Sequence, residues 1–120
     1  MDCAVRTSRP AGANNGWARS FFGPGWNAVF QTVPLQPNKR YRILGFVRSS
    51  STNTDGYLGI WLPSTGVILG QQKFGSLPNY TAVVIDFNSG NNTSAELFGG
   101  LWGNFTDAWA QFDDIALFQL

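Results

Sequence analysis

The stretch FQTVPLQPNKRYRILGFVRSS, Phe30 to Ser50, contains two strand-like runs and the turn that joins them. The first run, Val29-Phe30-Gln31-Thr32-Val33, is rich in β-branched and aromatic residues, which suit a pleated, half-buried surface. Pro34, Pro37 and Asn38 break it, because proline cannot donate to a ladder and asparagine favours turns. From Tyr41 the chain alternates: Tyr41, Ile43, Gly45 and Val47 fall on one face, Arg42, Leu44, Phe46 and Arg48 on the other. One face is apolar and requires a core. The other sets two arginines among apolar groups, an odd way to build a plain solvent face.

Working outward, the same period recurs. Between Tyr57 and Leu62, Leu58, Ile60 and Leu62 share one face, and Tyr57, Gly59 and Trp61 the other. Pro63-Ser64-Thr65-Gly66 is a hairpin-type connection to Val67-Ile68-Leu69. Val83, Ile85 and Phe87 alternate with Ala82, Val84 and Asp86. Beyond the turn at Ser89-Gly90-Asn91-Asn92, Ala95, Leu97, Gly99 and Leu101 oppose Ser94, Glu96, Phe98, Gly100 and Trp102. A short strand at Cys3–Arg6 and a last one from Trp109 to Leu117 complete the set. No stretch sustains helical periodicity. Short strands punctuated by turn signals predict an all-β chain, a β-sandwich or jelly roll. At 120 residues it reads as a single domain spanning 1–120, with an atypical N-terminal segment over 1–25.

Composition narrows the chemistry. Charged residues are only 12% of the chain, about half the usual share, and the net charge is +1. That offers no electrostatic attraction to nucleic acid or to an acidic membrane surface. There is no histidine and one cysteine, Cys3, so an internal disulfide, a Cys/His zinc site and a histidine-based triad are all excluded. A glycosidase needs two carboxylates flanking one bond. A pair such as Glu96 and Asp86 can be nominated, but no spacing singles it out, and a catalytic role is not expected. No apolar run is long enough to span a membrane, and Met1-Asp2-Cys3 lacks the features of a signal peptide.

Aromatics are the conspicuous excess, 15% of the chain with five tryptophans. Sugars present apolar C–H faces and hydroxyl rims, so aromatic platforms beside a few directed polar groups are what binds them. Arg48, Tyr57, Trp61, Glu96 and Trp102 lie on faces opposite the apolar ones and are the candidate ligand-binding residues. Trp17, Trp26 and Trp109, read as loop residues, offer an alternative site at the end of the sandwich. A third possibility is that the rings simply pack between layers. Asp113-Asp114 enters the last strand, where an unpaired inward carboxylate is costly. A calcium ion, backbone amides or an arginine would each satisfy it.

Three pieces together resemble a known family. They are Gly25-Trp26-Asn27 leading to Gln31-Thr32-Val33 and Tyr41; Gly45-Phe46-Val47-Arg48-Ser49 leading to Asp55-Gly56-Tyr57-Leu58-Gly59; and Trp109-Ala110-Gln111-Phe112-Asp113-Asp114-Ile115-Ala116-Leu117. Their order over residues 26–120 resembles the carbohydrate-binding modules of bacterial secreted glycoside hydrolases, which belong to the galactose-binding-domain-like superfamily of β-sandwich jelly rolls. The resemblance implies non-catalytic binding of a plant or microbial polysaccharide, an attached glycoside hydrolase domain, and an extracellular location. It also implies a structural calcium held through Asp113 or Asp114. The family's usual opening strand, an Asn-x-Gly-Phe-Glu-like segment that adds calcium ligands, has no counterpart in residues 1–25. A self-assembling or protein-binding sandwich is the alternative outside this class.

Overall fold

The computed structural model describes residues 3–6, 25–103 and 108–120. Among the described residues eight strands run in order: β1 (Cys3–Arg6), β2 (Gly25–Pro34), β3 (Arg40–Ser49), β4 (Gly56–Leu62), β5 (Val67–Phe74), β6 (Thr81–Asn88), β7 (Ser94–Gly103) and β8 (Trp109–Gln119). They form two antiparallel four-stranded sheets, a back sheet ordered β1-β8-β3-β6 and a front sheet ordered β2-β7-β4-β5. This interleaving is the double Greek key of a jelly roll, the architecture expected from the strand spacing. At the sheet edge β1 pairs with β8 from Cys3↔Phe112 to Arg6↔Trp109.

The two runs of the opening stretch are consecutive in sequence but lie in different sheets. The segment between β2 and β3 therefore crosses the sandwich. Leu35 is buried beneath it, Asn38 adopts a positive φ of 58° in the turn, and the Tyr41 hydroxyl accepts the Gln36 N–H at 2.7 Å. The inward faces match the alternation. Ile43 and Val47 of β3, Leu58 and Ile60 of β4 and Leu101 of β7 are fully buried, with Tyr41 packed among them. Gly99 lets the Phe112 ring lie on β7, since a Cβ there would come within 2.8 Å of it.

β5 runs further than its apolar start suggests, because Gln71, Gln72 and Lys73 continue it as an exposed edge strand. Its ladder with β4 is interrupted: Ile60 pairs with Gly70 but Trp61 with Ile68, leaving Leu69 as a bulge. That extra residue turns Ile68 to the outer face beside Trp61. A second irregularity lies in β8, where Leu44 pairs with Ala116 and Phe46 with Asp113. Asp114 sits in this bulge with a φ of 50°.

Candidate functional site

The outer face of the front sheet is an aromatic floor whose layout follows from strand register. Across β2, β7, β4 and β5, Trp26 pairs with Trp102; the next row is Ala28, Gly100, Tyr57 and Lys73; then Phe30, Phe98, Gly59 and Gln71; then Thr32, Glu96, Trp61 and Ile68. The glycines in the middle rows give the rings room to lie down. A Cβ on Gly100 would fall 2.9 Å from the Trp26 ring, and one on Gly59 would fall 2.8 Å from Phe98. Trp26 then stands at the junction of three rings, 5.4 Å from Trp102, 6.0 Å from Phe98 and 6.2 Å from Tyr57. Trp61 meets Phe98 edge-on at 6.3 Å. The outcome is an open cleft of about 350 Å³ lined by Trp26, Phe30, Tyr57, Trp61, Ile68, Gln71, Phe98 and Trp102.

Polar groups mark both ends. At one, the Trp61 indole N–H donates to Glu96 Oε1 at 2.9 Å. At the other, the Lys73 ammonium lies 3.5 Å from Asp55 Oδ1, and the Tyr57 hydroxyl is hydrogen-bonded to the Asp55 carboxylate. That bond, reinforced by partial burial and the negative charge, raises the Tyr57 phenol above its ordinary pKa. The rings thus provide flat apolar area, and the ends provide donors and acceptors of fixed direction. Such a surface has the chemistry to take the C–H faces and hydroxyls of a sugar.

The carboxylates are poorly placed for hydrolysis. Glu96 sits opposite Trp61, six positions along β4 from Asp55, which is roughly 20 Å at the usual rise per residue. That is more than twice the separation at which two carboxyl groups act on one glycosidic bond. Asp86, the other nominee, lies on the back sheet, where both its oxygens are bonded by Arg42 at 2.7 and 2.9 Å. The sandwich separates it from Glu96.

No protein-family model and no curated protein matches the sequence. Solved structures do. One, described as "CBM4 structure and function", superposes with a TM-score of 0.68 at 14% identity, covering 82% of this chain and 79% of its own. Another, TmCBM61 in complex with beta-1,4-galactotriose, gives 0.59 at 18% identity, covering 82% of this chain and 66% of its own. The fold is that of the carbohydrate-binding modules. At these identities the likeness establishes architecture, and the site is argued from the chain's own residues.

Of the five ligand-binding candidates, Tyr57, Trp61, Glu96 and Trp102 come together on the floor. Arg48 does not. It belongs to β3 in the back sheet, so the expectation that it shares a floor with Trp61 is corrected. Alternation along one strand gives faces but not sheets, and here consecutive strands change sheet. Of the loop-end trio, Trp26 is a strand residue opposite Trp102 on the floor, Trp109 opens β8 in the back sheet, and Trp17 lies outside the described residues. Phe30, Ile68 and Gln71 join the site without having been singled out. Phe30 was legible, since Trp26, Ala28, Phe30 and Thr32 have period two, whereas Ile68 depends on the bulge.

Asp113 and Asp114 lie on β8 in the back sheet, away from the floor. Among the described residues no group of three or more acidic, cysteine or histidine side chains gathers. A calcium ion held by these two acids would take its other oxygens from backbone carbonyls, side-chain amides or hydroxyls, water or segments outside the described residues.

Proposed function

We infer that this protein is a non-catalytic carbohydrate-binding module that holds a polysaccharide along the front-sheet floor and keeps an attached enzyme near its substrate outside the cell. The observation that carries this is the exposed row of rings, with Trp102 about half exposed, lying between hydrogen-bonding groups at Glu96 and Asp55. Trp102→Ala removes stacking area but no core, so its affinity for a neutral polysaccharide should fall about tenfold with little change in thermal midpoint. Unchanged retention on polysaccharide gels, or unfolding of the variant, would remove the floor as the site. A structural calcium at Asp113 and Asp114 is a separate part of this reading. Because those acids are on the other sheet, retention should survive chelation even where the thermal midpoint drops.

The protein-interaction alternative draws on the outer back sheet, where Phe46, Val84 and Phe118 are exposed. It requires concentration-dependent association in light scattering and no retention on any glycan.

A further inference from the structure

Two arginines on the outer face of β3 are handled differently. Arg42 is paired through two bonds to Asp86 on β6. Arg48, at the other end of the strand, has no such partner among the described residues. Its guanidinium carbon lies 5.3 Å from the centroid of the Trp109 ring and 5.9 Å from that of Tyr80. Among the described residues no carboxylate pairs with it and no oxygen accepts from its N–H groups. Asp113, the nearest acid by register, faces Phe46 across the ladder. Gln111 stands directly opposite Arg48 on β8, and the Tyr80 hydroxyl donates to Gln111 Oε1 at 3.4 Å. Trp109 is fixed by its backbone, its N–H donating to Ser50 Oγ at 3.0 Å and its carbonyl accepting the Ser50 N–H at 3.0 Å.

Rings engage the π face of a guanidinium, whereas its five N–H groups lie in its plane. Arg48 is half-buried beside these two rings, and among the described residues its hydrogen-bonding edge has no acceptor. Such an edge matches a planar carboxylate in a bidentate pair. Beside it are an amide and a phenol that suit hydroxyls, and Tyr80 is nearly half exposed, leaving ring area for a C–H face. We propose that Arg48, Tyr80, Trp109 and Gln111 form a second binding site, on the back sheet, for a glycan bearing uronate carboxylates. One arginine in a chain of net charge +1 suits a ligand with a single carboxylate per sugar ring. A densely acidic peptide or a nucleic acid needs a broader basic surface. The site does not depend on the floor, which faces the opposite side of the sandwich.

The test is titration with oligogalacturonate, with its methyl ester, and with oligoglutamate, at low salt. Wild type, Trp102→Ala, Arg48→Met and Arg48→Lys are compared, each checked by thermal melting. Wild type is expected to bind oligogalacturonate more tightly than its ester, and Trp102→Ala, which removes floor area, to keep that difference. Arg48→Met should bind about tenfold more weakly or worse, and Arg48→Lys several-fold more weakly, since lysine keeps the charge but not the fork. Esterification should abolish the preference. The proposal is overturned if wild type fails to bind oligogalacturonate, if the ester binds equally well, or if oligoglutamate binds as tightly. It is equally overturned if Arg48→Met binds like wild type, or if Trp102→Ala is the variant that loses the difference between acid and ester. Should Arg48→Met not fold, Arg48→Lys and the ester decide between the same outcomes.

Discussion

The Trp61 indole N–H donates to Glu96 Oε1 at 2.9 Å across the β4–β7 pair, holding the ring edge-on to Phe98. A ring held in place before the ligand arrives loses little side-chain freedom on binding. Glu96→Gln keeps an oxygen acceptor for the indole and should leave glycan affinity within about twofold. Glu96→Leu releases the ring and should weaken binding about five- to tenfold, the scale of one net hydrogen bond. Calorimetry of both variants, with tryptophan emission as a monitor of the indole's environment, checks this.

Gly100 is where the floor is most sensitive to added bulk. A Cβ there would lie 2.5 Å from the Asn27 carbonyl oxygen and 2.9 Å from the Trp26 ring, so either the backbone or the ring must shift. Gly100→Ala should cost roughly 1–3 kcal/mol of stability and lift Trp26 out of place, weakening glycan binding as well. Gly75→Ala is the control, because nothing lies within 4 Å of a Cβ at that position. Denaturant unfolding and gel retention of the two variants should separate them clearly.

The strands and their faces were legible because side-chain alternation is a local property. Tyr41, Ile43 and Val47 are inside, and Glu96, Phe98 and Trp102 lie on one outer face, as their spacing predicts. Sheet membership is not local, and this misplaced Arg48: β3 and β4 each carry rings on their outer faces, but the jelly roll puts those faces on opposite sides. Trp26 was obscured by the Gly23-Pro24-Gly25 run before it, which carries the composition of a turn although β2 begins at Gly25. Ile68 was hidden because the bulge at Leu69 reverses its side. Arg42, an oddity in the sequence, is explained by the register that brings Asp86 opposite it.

The Arg42–Asp86 pair gives acid stability a definite sign. Hydrogen bonding from Arg42, with its charge and that of Arg40, holds the Asp86 carboxyl below its ordinary pKa. A carboxylate depressed in the folded state adds stability above its unfolded value, near pH 4, and that contribution is lost as pH falls through the folded value. Asp86→Asn should therefore be slightly less stable than wild type at neutral pH and show a shallower loss below about pH 4. Both partners are substantially exposed, so the difference at neutral pH should be small and should shrink further in salt. Thermal melts across pH 2–7 at two salt concentrations measure both effects.

Asn27 offers the opposite case, a polar side chain inside the sandwich. It lies on the inward face of β2 opposite Leu101, is 1% exposed, and among the described residues neither its Oδ1 nor its Nδ2 has a hydrogen-bond partner. An unsatisfied buried polar atom costs about 1–3 kcal/mol, while a leucine of similar shape carries no such penalty. Asn27→Leu should thus raise the urea midpoint, by up to about 2 kcal/mol of stability, with the m-value unchanged. Glycan binding should not move, because the residue faces away from the floor that its neighbours Trp26 and Ala28 help to form. A loss of more than about 1 kcal/mol would instead mean that the amide is bonded within the folded protein in solution, and that this end of the core is held by a polar contact.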